Sequence, residues 1–114
     1  MAVGKKERVT KSISGTVNET TAIIARVLNY ARITVFGKVT ISGTYTVNVK
    51  VYGTYDADAS SPVWKQIGST QQFTSTGLLD PEDIVQCWDA IKVTYDGSGS
   101  GSAIVDLAVN RKRH

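Results

Sequence analysis

Between residues 30 and 55, apolar and polar side chains alternate with period two, and this stretch constrains the fold more than any other. Ile33, Val35, Gly37, Val39 and Ile41 face one way, and Thr34, Phe36, Lys38 and Thr40 face the other. After Ser42-Gly43 the pattern resumes, with Tyr45, Val47, Val49 and Val51 set against Thr46, Asn48, Lys50 and Tyr52. Side chains alternate across an extended strand, so the two runs and their short turn read as a β-hairpin. One face is expected to be buried. Phe36 and Tyr52 fall on the other, where a lone molecule gains little from an aromatic ring. Both are therefore candidate partner-binding residues.

The remaining segments are short and of the same kind. Residues 8–14 alternate Val9, Lys11 and Ile13 against Arg8, Thr10 and Ser12, as an edge strand would. Residues 20–28 carry Ile23, Ile24, Val27 and Leu28 at helical spacing. However, the β-branched pair Ile23-Ile24 favours extended chain, and a helix would run into the next strand with only Asn29 to stop it. A strand is expected there. Two more strands are expected at 63–68 and 70–75, divided at Gly68-Ser69, and others at 88–95 and 103–109. Asp80-Pro81-Glu82-Asp83 has a capping residue, a proline at the first position and acidic side chains, which together predict a helical turn near residues 81–86. About eight strands with turn signals between them predict an all-β fold: an antiparallel β-sandwich, jelly-roll-like, with that one helical turn.

At 114 residues the chain suits a single domain with one core. Its formal net charge of +3 is unevenly spread. Lys5, Lys6, Arg8 and Lys11 against Glu7 give +3, and Arg111, Lys112 and Arg113 give another +3, so residues 12–110 are left at −3. The charge pattern divides the chain into a basic N-terminal arm (1–11), a β-sandwich domain (12–110) and a basic C-terminal tail (111–114). A mildly acidic body makes nucleic acid an unlikely partner. The basic ends instead suit an acidic protein surface, which makes Lys5, Lys6, Arg8, Lys11, Arg111, Lys112 and Arg113 candidate partner-binding residues. No apolar run reaches membrane-spanning length and residues 1–11 lack the apolar run of a signal peptide, so use without secretion is expected.

Catalytic chemistry finds no foothold. His114 is the only histidine and is the last residue. Cys87, the only cysteine, has no histidine beside it to activate it, so a structural thiol is expected. Residues 56–60 imitate the start of a calcium loop, but Ser61 and Ile67 occupy the positions that need glycine and glutamate. Gly97-Ser98-Gly99-Ser100-Gly101 opens no helix and reads as a strand connection rather than a phosphate cradle. No catalytic residue, metal ligand or cofactor is called for, and the chain reads as a non-enzyme. The aromatic side chains leave one alternative open: a carbohydrate-binding module that stacks sugar on Trp64 and Tyr55.

The run Tyr30-Ala-Arg-Ile-Thr-Val-Phe-Gly37, continued through Ile41 to Tyr55, resembles small β-sandwich modules of tailed-bacteriophage structural proteins. So do Val63-Trp-Lys-Gln-Ile-Gly, Trp88-Asp-Ala-Ile-Lys-Val-Thr-Tyr95 and Ala103-Ile-Val-Asp-Leu-Ala-Val109. The resemblance covers roughly residues 21–109 and carries over no functional residue. It implies a virion component assembled in the host cytoplasm, with capsid or other virion proteins as partners and no membrane. Capsid decoration or cementing, in a symmetric oligomer such as a trimer, is the role expected from it.

Overall fold

The computed structural model describes residues 4–27, 30, 32–84 and 88–112. Among them are nine strands: β1 (Gly4–Ser14), β2 (Val17–Arg26), β3 (Arg32–Ser42), β4 (Tyr45–Thr54), β5 (Lys65–Phe73), β6 (Gly77–Leu78), β7 (Glu82–Ile84), β8 (Ala90–Gly99) and β9 (Ser102–Lys112). They form two antiparallel sheets packed as a sandwich. The first has the order β1-β9-β3-β6, with β7 also pairing with β3, and the second has the order β2-β8-β4-β5. The chain changes sheet between β1 and β2, β2 and β3, β3 and β4, β5 and β6, β7 and β8, and β8 and β9. That crossing pattern is a jelly roll.

The alternation in β3 and β4 identifies buried faces correctly but misidentifies the neighbours. Ile33, Val35 and Val39 are buried, as are Tyr45, Val47, Val49 and Val51. The two strands do not form a hairpin. β3 pairs with β9 over its whole length, β4 pairs with β8 and β5, and residues 42–44 carry the chain from one sheet to the other. Their apolar faces therefore meet across the core instead of lying side by side. Period two fixes which face is buried; it says nothing about which strand lies alongside.

The expected helical turn is also corrected. Glu82–Ile84 is extended and pairs with Ile33, Thr34 and Val35. The Asp83 carboxylate receives the Arg32 guanidinium through both oxygens, and Ile84 goes into the core. Residues 85 and 86 of that expected turn lie outside the described residues. The two short strands expected at 63–75 are a single strand. Its register with β4 slips between Val49 and Val51, where residues 68–70 bulge out around Gly68. Of residues 20–28, expected as strand, 20–26 lie within β2, Val27 follows its end, and Leu28 lies outside the described residues.

Aromatic rings close the sandwich at both ends of β4. Tyr45 lies against Gly97 and donates from Oη to the Gly15 carbonyl at 2.7 Å. At the far end the Trp88 ring covers Gly53, where a Cβ would lie only 2.5 Å from the ring. Between these plugs, β9 supplies Val105, Leu107 and Val109, and β8 supplies Ile91 and Val93. Each such side chain removed from water contributes about 1.5–3 kcal/mol, so this layer is the main favourable term.

Candidate functional site

Residues 4–11, set apart by charge as an arm, form the greater part of β1 and pair in step with β9 from Gly4 opposite Lys112 onward. Pairing separates the cations by parity. Lys6 and Arg8 share the outer face of the first sheet with Ala108 and Asn110, whereas Glu7, Val9 and Lys11 lie on the opposite side. Lys5 sits opposite Arg111 in the register. Lys11 and Lys112 are exposed. Arg113 lies outside the described residues, as do Cys87 and His114.

Arg111 requires correction as a surface contact. It is 4% exposed, with one guanidinium nitrogen on Glu7 Oε1 at 2.7 Å and another on the Arg26 carbonyl at 2.6 Å. Its guanidinium also lies 5.3 Å from the centre of the Tyr30 ring. Consecutive basic residues on a strand point to opposite faces, so one member of the Arg111-Lys112 pair had to turn inward.

Phe36 and Tyr52 do not share a face, because their strands belong to different sheets. Phe36 is half-buried on the outside of the first sheet, with Lys6 Nζ 5.7 Å from its ring centre. Beside it Arg8 Nε approaches Asp106 Oδ1 at 3.4 Å. Arg8, Phe36, Lys38, Leu78, Pro81 and Asp106 line a groove of 310 Å³. Leu78 stands opposite Lys38 in the pairing of β6 with β3 and is 72% exposed.

Tyr52 belongs to a cluster on the outside of the second sheet. Its Oη donates to Glu19 Oε2 at 2.6 Å, and Thr94 donates to the same oxygen at 2.7 Å. These hydrogen bonds hold the Glu19 carboxyl below its ordinary range, with Lys50 and Lys92 adding to the effect. The same bond, with burial, pushes the Tyr52 phenol up to about 12. Lys92 Nζ sits 5.0 Å from the Tyr52 ring centre and 4.7 Å from that of Trp64. One face of each ring is thus already in contact with a cation. Next to this cluster Gln72 donates to Asn48, which donates to Asp96, a ladder across three strands.

Trp64 and Tyr55, paired as sugar-stacking residues by the sequence, are in different settings. Trp64 is half-buried beneath Lys92, while Tyr55 is 57% exposed and stacks on Trp88 with ring centres 4.3 Å apart. Tyr55, Trp88, Val63, Lys65, Asp56 and Gly53 line a cleft of 280 Å³ at the loop end of the sandwich. Asp56 accepts from the Thr54 hydroxyl and the Val63 amide, and Asp58 pairs with Arg26, so the acidic loop is tied to its own neighbours. Among the described residues no group of three or more histidine, cysteine or acidic side chains could hold a metal ion. Sequence reasoning missed Lys38, Leu78, Glu19 and Lys92. The alternation that singled out Phe36 puts Lys38 on the same face, but nothing local brings Leu78 or Glu19 to these clusters.

No protein-family model matches the sequence, and no curated protein matches it. Solved structures do match the fold. The structure of the infectious bursal disease virus Gx strain aligns with a TM-score of 0.64 at 12% identity, covering 99% of this chain and 32% of that one. The VP2 subviral particle of the same virus gives 0.57 at 12% identity, over 97% and 33%. The CBM22-1–GH10 modules of Clostridium thermocellum endo-1,4-beta-D-xylanase 10B, complexed with xylohexaose, give 0.52 at 12% identity, over 96% and 26%. This chain spans about a third of the length of the viral chains it matches. At such identities the shared feature is the fold.

Proposed function

We propose that this chain is a non-enzymatic virion structural protein, a capsid decoration or cementing subunit that binds neighbouring capsid proteins through an outer sheet face and its basic strand ends. The observation that carries the reading is the jelly roll itself, aligned over nearly the whole chain with proteins of a viral particle. The resemblance of its strands to tailed-bacteriophage modules supports the same class of role. Phe36, Lys6, Arg8 and Lys112 supply the contacts of that face, Lys5, Lys11 and Arg113 extend the basic ends, and a symmetric oligomer such as a trimer fits the role. Exposed ion pairs contribute only about 0.2–1 kcal/mol each, so attachment needs several together with apolar contact. The test is to tag the chain in its own genome and sediment nuclease-treated particles through a density gradient. Co-migration with particles is expected; a chain found only in the soluble fractions would refute the role.

The Tyr55–Trp88 cleft favours a second reading, a carbohydrate-binding module. An exposed ring above an apolar floor suits the flat face of a sugar, and a fold match of known structure was solved with xylohexaose. A glycan array separates the two readings. Binding abolished by Tyr55→Ala would support the module, and an empty array would remove it.

A further inference from the structure

The two outer faces of the sandwich differ in charge. Strands β1, β9 and β3 pair in step, which puts Lys6, Arg8, Arg32, Lys38 and Lys112 on the outside of the first sheet. Among the described residues of its paired strands, Asp83 and Asp106 are the carboxylates on that face, one held by Arg32 and the other against Arg8 and Thr10. Among the described residues Lys6, Lys38 and Lys112 make no ion pair. The outside of the second sheet is balanced: Lys50 and Lys92 stand near Glu19 and Asp96, and Arg26 is paired with Asp58. Among the described strand residues, five cations against two carboxylates therefore mark one face only.

The same face carries the apolar groove. Phe36 lies two residues from Lys38 on the same face of β3, Leu78 stands opposite Lys38 on β6, and with Pro81 they line a space of 310 Å³. That is the lower end of the range for binding pockets, enough for one or two side chains but not for a helix. We infer that this groove takes an acidic, extended segment of a neighbouring protein, which seats one apolar side chain between Phe36 and Leu78 while its carboxylates meet Lys6, Arg8 and Lys38. The inference rests on the virion reading for the identity of the neighbour, and adds which face is used and what chemistry it accepts. A second copy of this chain does not fit the groove, because two such faces would bring like charges together. Nucleic acid fits less well than an acidic peptide. Its phosphates have no use for an apolar floor, and phosphate-driven binding draws on roughly six to ten contacts.

The probe is a peptide, Glu-Asp-Glu-Leu-Asp-Glu-Asp, titrated into the isotope-labelled full chain by nuclear magnetic resonance. Amide shifts are expected at Phe36, Gly37, Lys38 and Leu79. Lys38→Glu turns an attraction into a repulsion and should weaken binding roughly tenfold, whereas Lys50→Glu, on the other face, should leave it unchanged. Serine in place of the peptide's leucine should weaken binding as well. Lys38 is exposed and Lys50 half-buried, and an unchanged thermal midpoint would verify that the variants fold. Shifts elsewhere, no shifts at millimolar peptide, an affinity indifferent to Lys38→Glu, or displacement of the peptide by oligo(dT) would each overturn the groove assignment. Particle sedimentation separates this from the broader reading. Wild type in particles with Lys38→Glu retained there sinks the groove alone; wild type absent from particles sinks the virion reading, and the peptide titration then decides the groove chemistry independently.

Discussion

Gly53 lies directly under Trp88: a Cβ added at Gly53 would sit 2.5 Å from the Trp88 ring, closer than any real contact. Gly53 is on the inward face of β4, so the missing side chain is the space that the indole fills. Gly53→Ala must displace the ring from its seat on β4. The expected cost is about 1–3 kcal/mol by chemical denaturation, as for overpacked cores. A variant as stable as wild type would mean that Trp88 does not plug this end.

Glu19 and Tyr52 predict a pH dependence with two limbs. Glu19 titrates below its ordinary 4.5 in the folded chain, so its contribution is present above that value and is lost as pH falls through the folded one. Tyr52 is raised to about 12 from 10.0, so its contribution is intact below 10.0 and is lost as pH rises through about 12. Glu19→Gln should flatten the acid limb and bring the Tyr52 titration, followed by tyrosinate absorbance, back toward 10.0. An unmoved Tyr52 titration would show that the bond between them is not formed in solution.

Arg111 is expected to matter for folding rather than for attachment. Arg111→Met keeps the length of the side chain but removes the donors to Glu7 and to the Arg26 carbonyl. Hydrogen bonds to charged groups are worth about 1.5–3 kcal/mol, and a loss of that order is expected in urea denaturation. Lys112→Met, on the exposed face, should cost less than about 0.5 kcal/mol. Equal losses for the two would contradict the inward placement of Arg111.

Trp64 and Lys92 should be energetically coupled. Their contact at 4.7 Å predicts a coupling of about 0.5–1 kcal/mol in a double-mutant cycle of Trp64→Ala and Lys92→Met. Strictly additive losses would leave the Trp64 ring without its cation.

Much of this architecture is legible in the sequence, and its limits are physical. Period-two patterning identifies the buried set in β3 and β4 because solvent exposure is a local property of each residue. It cannot identify β9 as the neighbour of β3, because that pairing joins residues far apart in sequence, such as Ile33 and Arg111, 78 positions apart. The Asp80-Pro81 start signal is overridden by the Arg32–Asp83 contact and the burial of Ile84. Charge runs are misleading for the same reason. On a strand they divide between faces, so Arg111 is buried while Lys112 is not. Of the candidate surface, Phe36, Lys6 and Arg8 are visible from sequence; the groove wall at Leu78 exists only once β6 pairs with β3.

Electron microscopy of the native particle tests the central claim most directly. Density for this jelly roll is expected on the capsid, with the Phe36–Leu78 face seated against an acidic segment of a neighbour. Particles without that density would contradict the virion role itself, while density seated through the Tyr52 face would contradict the surface assigned to it.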